Sequence, residues 1–302
     1  MSKEVRAPQA GIWGFYPIKR EELVKVLEKC FKDKRFGPGG LPKKDVGRND
    51  VVVVGIAPHA GYEYSGPCAA WLYKEVAETL DRVDTVVIIG TNHTGLGGNL
   101  VTTTSFIWST PLGELEVDEE FVSKLRSYYP SLEDDPLPHI REHSVEVQLP
   151  FLQYVYGNSF RIVPIVAREL SSKEAQEFAQ ALYKTVQELG RRTLLIASTD
   201  FTHHGSYYGY VLFTHDVAKN VRKLDLEFID RILALDTNGF LSLVRKYDAT
   251  ICGIGAIVVA MEFAKIVNAK PRLLQYYNSA ELTGEEYMAV GYASIAMYVQ
   301  KS

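Results

Sequence analysis

The chain has 302 residues, 46% of them hydrophobic and 23% charged, with a formal net charge of −4. That is enough chain for one large α/β domain or two smaller ones, and the mixed, slightly acidic charge excludes a basic nucleic-acid footprint and a polybasic membrane surface. No apolar run approaches the roughly 18–20 residues that span a bilayer, the N-terminus lacks a signal-peptide core, and three cysteines are too few and odd in number for a disulfide framework, so the expected location is the cytoplasm.

Residues 7–17 mix Gly11, Trp13, Gly14, Phe15 and Tyr16, and read as an ordered aromatic loop docked on the body. A helix is predicted over 19–36, with Leu23, Val24, Val26, Leu27, Cys30 and Phe31 on its apolar face; 37–50, rich in glycine and proline, reads as a loop. Then comes VVVVGIAPHAGYEYSG, residues 51–66. Four consecutive valines predict a strand buried on both faces, as in a parallel sheet. His59 follows the carboxyl end of that strand, where open α/β sheets bind ligands, and Gly61 and Gly66 allow a sharp turn or a close backbone approach. A helix over 67–80, with Pro67 in its first turn, and a strand over 85–90 complete a right-handed βαβ unit with adjacent parallel strands. The second strand empties into Gly90-Thr-Asn-His93, so a second histidine reaches the same crevice.

Further on, 100–107 suggests a strand or hairpin, 118–128 a short helix capped by its own acidic residues, and 142–156 a helix in which Pro150 marks a kink or a first turn. A strand over 160–166 and a helix over 172–189, opening on Ser with Glu174 and closing before Gly190, come next. The strand 192–197 feeds STDFTHHG, residues 198–205. Helices follow over 216–235 and 238–247. Residues 249–268 begin TICGIG at 250–255 and continue as a nearly all-apolar, covered helix, and strands over 272–278 and 288–299 close the chain. Without a repeat, linker or low-complexity segment, the expectation is one α/β/α domain over 1–302 with a mostly parallel central sheet.

Five of the seven histidines, His59, His93, His143, His203 and His204, lie in polar or glycine-rich contexts at strand ends or helix starts. A pair such as His59 and His93 suits a first-row transition metal if a third ligand joins them; Cys252, Asp200 and His203 are the candidates. Cys252 stands at a glycine-rich helix start, where the dipole favours a thiolate, although a small buried hydrophobe at a crowded helix start fits the same residues. Cys30 and Cys68 read as core. Asp200 and His203 follow a buried strand and suit an acid-base pair in which one orients the other; a carboxylate capping its own turn is the plainer alternative. His143, beside Glu142 and Glu146, fits a substrate-facing base or a surface residue equally. Gly95-Leu-Gly-Gly98 matches neither the dinucleotide nor the P-loop pattern, and no Gly-x-Ser-x-Gly elbow is present.

Taken together and in order, the aromatic stretch 7–17, APHAGYEYSG at 57–66, GTNH at 90–93, EHSVEVQLP at 142–150, STDFTH at 198–203, TICG at 250–253 and VGYA at 290–293 resemble the Memo family. The resemblance implies a LigB-type fold, that of the class III extradiol dioxygenases, and a pocket in which His59, His93 and Cys252 bind a metal. It places Asp200 and His203 in the same cleft, with His203 as acid-base, Asp200 positioning it and His143 bordering the substrate. In the dioxygenases two histidines and a carboxylate hold non-haem iron; a cysteine in the third place shifts preference towards copper, zinc or a different iron chemistry. The implied function is an iron- or copper-dependent oxidoreductase acting on a small molecule or peptide. A binding or adaptor protein that uses the cleft for a peptide or small anion, and a metal-assisted hydrolase, are the rivals. A radical SAM protein is the implied partner among prokaryotic relatives.

Overall fold

The computed structural model describes residues 3–44 and 46–301. At the N-terminus, strand β1 (Glu4–Arg6) and the short helix α1 (Gln9–Ile12) precede α2 (Arg20–Lys32). The stretch read as an aromatic loop therefore contains a helical turn, and its Tyr16 is buried on the body as expected. Helix α2 stops short of residue 36 because the Asp33 carboxylate accepts the backbone N–H groups of Arg35, Phe36 and Gly37, which turns the chain out of the helix.

The valine run forms β2 (Asp50–Ala57), followed by α3 (Tyr62–Thr79) and β3 (Thr85–Thr91). Helix α3 starts five residues before the expected Pro67, because the Gly61 carbonyl accepts the Ser65 N–H and opens the first turn at Tyr62. Pro67 is accommodated inside the helix. Gly66, also inside it, is where α2 crosses: a Cβ there would lie 2.5 Å from Cys30 Sγ. Its role is close helix packing, not a turn near His59.

Residues 100–107 split between two sheets. Strand β4 (Leu100–Thr102) joins the main sheet, while β5 (Phe106–Thr110) forms a small three-stranded sheet with β1 and β6 (Gly113–Leu115). Helix α4 (Glu119–Tyr128) is capped by Asp118, as its acidic start suggests. After β7 (Glu133–Asp134) and α5 (Leu137–Ile140), the segment expected as one helix over 142–156 is a turn, a 3₁₀ turn at Glu146–Gln148 and α6 (Leu149–Tyr156), with Pro150 in the first turn of α6. Strand β8 (Arg161–Ala167) and α7 (Ser172–Leu189) follow. The Ser171–Glu174 capping box and left-handed Gly190 close the two ends of α7. The remainder is β9 (Thr193–Ser198), β10 (His203–His204), α8 (Val217–Leu233), α9 (Thr237–Tyr247), α10 (Ile254–Ile266), β11 (Lys270–Asn278), α11 (Ser279–Thr283) and β12 (Ala289–Gln300).

The main sheet runs β10-β12-β2-β9-β3-β8-β4-β7, with β11 paired to β12. Its centre, β2-β9-β3-β8, is parallel, whereas β12 joins β2 antiparallel and β4 joins β8 antiparallel. The fold is thus α/β with a parallel centre and mixed flanks. Strands β2 and β3 are parallel but not adjacent, contrary to the βαβ expectation, because β9 inserts between them. Helix α3 packs on β2, β11 and β12 with α2 and α6 beside it; α10 packs on β2, β3 and β9 together with α7. These two helical layers bury the apolar strands in one continuous core. Among the described residues no helix is long and apolar enough to cross a membrane.

Candidate metal centre

The insertion of β9 organises the site. Parallel strands place their carboxyl ends on one edge, so His59 after β2 and His93 after β3 flank Ser198 at the end of β9 and Asp200 just beyond it. His143 comes from the turn before the 3₁₀ segment. The rings of His93 and His143 stack at 4.7 Å, and His59 meets them edge to face at 5.3 and 5.2 Å. One ring nitrogen from each lies within 4.8 Å of the other two.

The hydrogen bonds fix which nitrogens face the centre. Ser198 Oγ donates its single proton to the Ser144 carbonyl at 2.6 Å and receives the Gln148 amide at 2.8 Å. Its 3.0 Å contact with His59 Nδ1 is therefore a donation from the ring. His59 thus carries a proton on Nδ1, and its Nε2 lies 3.2 Å from Cys252 Sγ. On the other side, Glu142 is fully buried and receives His93 Nδ1 at 2.9 Å together with the backbone N–H groups of His93, His143 and Ser144. Burial alone would raise the Glu142 carboxyl, but the His93 hydrogen bond and charge hold it down at about 2. Burial likewise opposes a charge on His93, yet the Cys252 sulfur and the Glu142 carboxylate raise it to about 9. A metal ion binding here would have to displace a proton from His93. Burial and the neighbouring His59 push His143 the other way, to about 3.

Cys252 sits half-buried two residues before α10 and accepts the Asp200 N–H at 3.1 Å. Glycines crowd this corner for a steric reason. A Cβ on Gly253 would lie 2.5 Å from Thr199 Cβ, and one on Gly255 would lie 2.0 Å from the Arg168 carbonyl oxygen. The apolar helix begins at Ile254, leaving Cys252 in the glycine-rich turn that opens it, as the sequence suggests.

Asp200 and His203 both line the cleft, but they are not hydrogen-bonded to each other. Asp200 Oδ1 accepts the His59 backbone N–H at 2.8 Å. His203 Nδ1 is held between the carbonyls of Phe201 and Thr250 at 2.9 and 3.0 Å, so main-chain oxygens orient this ring and leave Nε2 as its basic nitrogen. Burial lowers the His203 pKa. His204 points elsewhere: its Nε2 accepts the N–H groups of Leu212 and Phe213. The cleft measures about 420 Å³ and is walled by Phe15, Tyr64, Tyr208, Met288, Val290 and Tyr292, with Asp200 and Glu285 as its carboxylates. No lysine or arginine among the described residues lines it; Arg168 is bound to the Gly95 carbonyl instead.

Sequence reasoning did not single out Glu142, Ser198 or Gln148, which hold the rings. A signal was present, since Glu142, Ser144, Glu146 and Gln148 are four polar residues at alternate positions, and all four are buried. Glu146 anchors the N-terminal stretch by accepting Tyr16 Oη, the Ala10 N–H and the Arg6 guanidinium, which sets Phe15 against His143 at 4.5 Å.

Fold and site together define an α/β protein with a histidine-rich cleft at the carboxyl edge of its parallel strands. Comparison places it more narrowly: residues 6–296 match the Memo family, described as Memo-like protein, and the chain belongs to that family. It is 43% identical over 282 residues to a MEMO1 family protein of Methanopyrus kandleri, covering 93% of this chain and 95% of that one. It is 38% identical over 290 residues to a MEMO1 family protein of Pyrococcus abyssi, at 94% and 96% coverage. A MEMO1 family protein of Aeropyrum pernix is 39% identical over 282 residues, at 93% and 95%.

Proposed function

We propose that the chain is a metal-dependent oxidoreductase in which His59, His93 and His143 hold a first-row transition metal and Cys252 completes the donor set as a thiolate. The observation that carries this reading is the convergence of three ring nitrogens within 4.8 Å. Two of these rings have their outer nitrogens committed, to Ser198 and to Glu142, the usual support of metal-binding histidines. Three imidazoles and a thiolate suit iron, copper or zinc better than calcium or magnesium. The stacking of His143 on His93 draws it into the ligand set, where the sequence placed it beside the substrate.

Iron or copper at this centre would supply one-electron chemistry with O₂ or reduced oxygen species. The protein's own residues do the rest. His203, oriented by two carbonyls, takes or delivers a proton through Nε2 at the cleft wall. Asp200 fixes the His59 backbone through Oδ1, and aromatic side chains wall the cleft beside the centre. Metal-assisted hydrolysis would use the same donors and differs in having no O₂ requirement. The adaptor reading for an anionic peptide is disfavoured by the lack of a lysine or arginine in the described lining. Anaerobic titration with cobalt(II) tests the donor set: a thiolate-to-metal absorption band should appear in the parent and vanish in Cys252→Ser. Persistence of that band in Cys252→Ser would remove the cysteine from the set.

A further inference from the structure

The charge of the cleft points to the kind of molecule it takes. Asp200 is only 3% exposed, and its carboxylate is asymmetric. Oδ1 accepts the His59 N–H, whereas Oδ2 has no hydrogen bond to a described residue, and Asp200 lines the cleft. His59 Nε2 lies 4.0 Å from Oδ2, beyond hydrogen-bond reach. A buried carboxylate oxygen left open to a cavity calls for a donor from the ligand, because an unpaired buried charge is costly. The positive charge at the floor does not supply it, since Glu142 already engages His93 through both oxygens.

Asp200 shares the cleft with aromatic side chains, among them Tyr64, Tyr208 and Tyr292. Glu285 adds a second carboxylate at the mouth. Two carboxylates among aromatic rings, with no lysine or arginine in the described lining, favour an organic cation over carboxylates and phosphates at this end of the cleft.

We infer that the cleft recognises a protonated amine carried on a flat apolar body, with the ammonium seated on Asp200 Oδ2 beside Tyr208 and Tyr292 and the body lying between the aromatic walls towards the histidines. This deepens the proposed function by naming its substrate class, and rests on the cleft being the working site. The amine end donates to Asp200, the tyrosine rings shield it from water, and the opposite end of the molecule faces the metal centre.

Calorimetric titration of the full-length, metal-loaded chain with phenethylamine and with phenylpropionate tests this, with elemental analysis of every sample. The two probes share a shape and differ in charge. The amine should bind at least tenfold more tightly than the carboxylate. Asp200→Asn should lower amine affinity roughly tenfold or more without changing metal content, as expected for a hydrogen bond to a charged group, and Asp200→Glu should recover part of the loss. Equal or tighter binding of phenylpropionate, amine binding indifferent to Asp200→Asn, absence of amine binding, or metal lost in Asp200→Asn would each overturn the inference. Selective, Asp200-dependent amine binding by a parent that holds no metal would uphold it while defeating the metal reading, so the two failures are distinguishable.

Discussion

At the scale of single residues, the site is governed less by its histidines than by what holds their far sides. Ser198 has one proton and gives it to the Ser144 carbonyl, which forces His59 to donate from Nδ1. Glu142 performs the matching service for His93 while gathering three backbone N–H groups. Removing such partners typically lowers metal affinity about 10–100-fold. Ser198→Ala and Glu142→Gln are each expected to weaken metal binding by that order in a competition titration against a chromophoric chelator, with far-UV circular dichroism unchanged. Affinity within about twofold of the parent in both variants would show that neither the tautomer nor the carboxylate matters. The histidines themselves were legible, because His59 and His93 follow apolar strands and polar residues at strand ends mark sites. Their supports were not, because Ser198 and Glu142 acquire meaning only when β9 and the 141–145 turn meet in space.

At the scale of elements, the same limit appears in the sheet. Local pattern identified β2 and β3 and their shared direction, but strand order is a long-range property, and the insertion of β9 between them cannot be read from either strand. That insertion is what brings Ser198 and Asp200 between the two histidines. Helix ends were less legible where local hydrogen bonds override propensity: the Asp33 carboxylate ends α2 early, and the Gly61 carbonyl opens α3 ahead of Pro67. The start of α10 is set by contact. A Cβ at Gly255 would meet the Arg168 backbone oxygen, which cannot move aside as a flexible side chain can. Gly255→Ala is therefore expected to destabilise the fold by roughly 1–3 kcal/mol in urea unfolding, and a change below about 0.5 kcal/mol would mean that α10 shifts freely on β8.

Helix α8 adds a pH dependence of its own. Asp225 is fully buried and accepts Thr202 Oγ1 at 2.5 Å and Tyr276 Oη at 2.7 Å. Burial raises its carboxyl to about 6 despite those donors. A folded-state pKa above the unfolded value makes the neutral acid the form the fold prefers, so its stabilisation is complete below about pH 4 and is lost as pH rises through about 6. Relative to Asp225→Asn, the parent should lose stability on the order of 3 kcal/mol between those pH values. A constant difference between the two proteins across that window would place the carboxyl at an ordinary pKa.

For the whole molecule, the arrangement is a division of labour. The parallel centre of the sheet aims loop residues at one edge, the antiparallel strands β11 and β12 extend it to carry Val290 and Tyr292 into the cleft wall, and the N-terminal stretch is fastened over the histidines by Glu146. Three elements far apart in sequence thus converge on a space of about 420 Å³. Family membership was legible from the ordered motifs because each contains residues that touch this space or its supports. A metal held by His59, His93, His143 and Cys252 would also tie four separate segments together, since a ligand bound only by the folded state stabilises it.

The most direct test is elemental analysis of the purified full-length chain after anaerobic loading with iron(II), copper(I) or zinc, alongside His59→Ala, His93→Ala and His143→Ala. One tightly held transition-metal ion per chain in the parent, lost or strongly weakened in all three variants, is the predicted result. A parent that retains no transition metal above background, or variants that hold it as well as the parent, would contradict the assignment of these histidines as a metal centre.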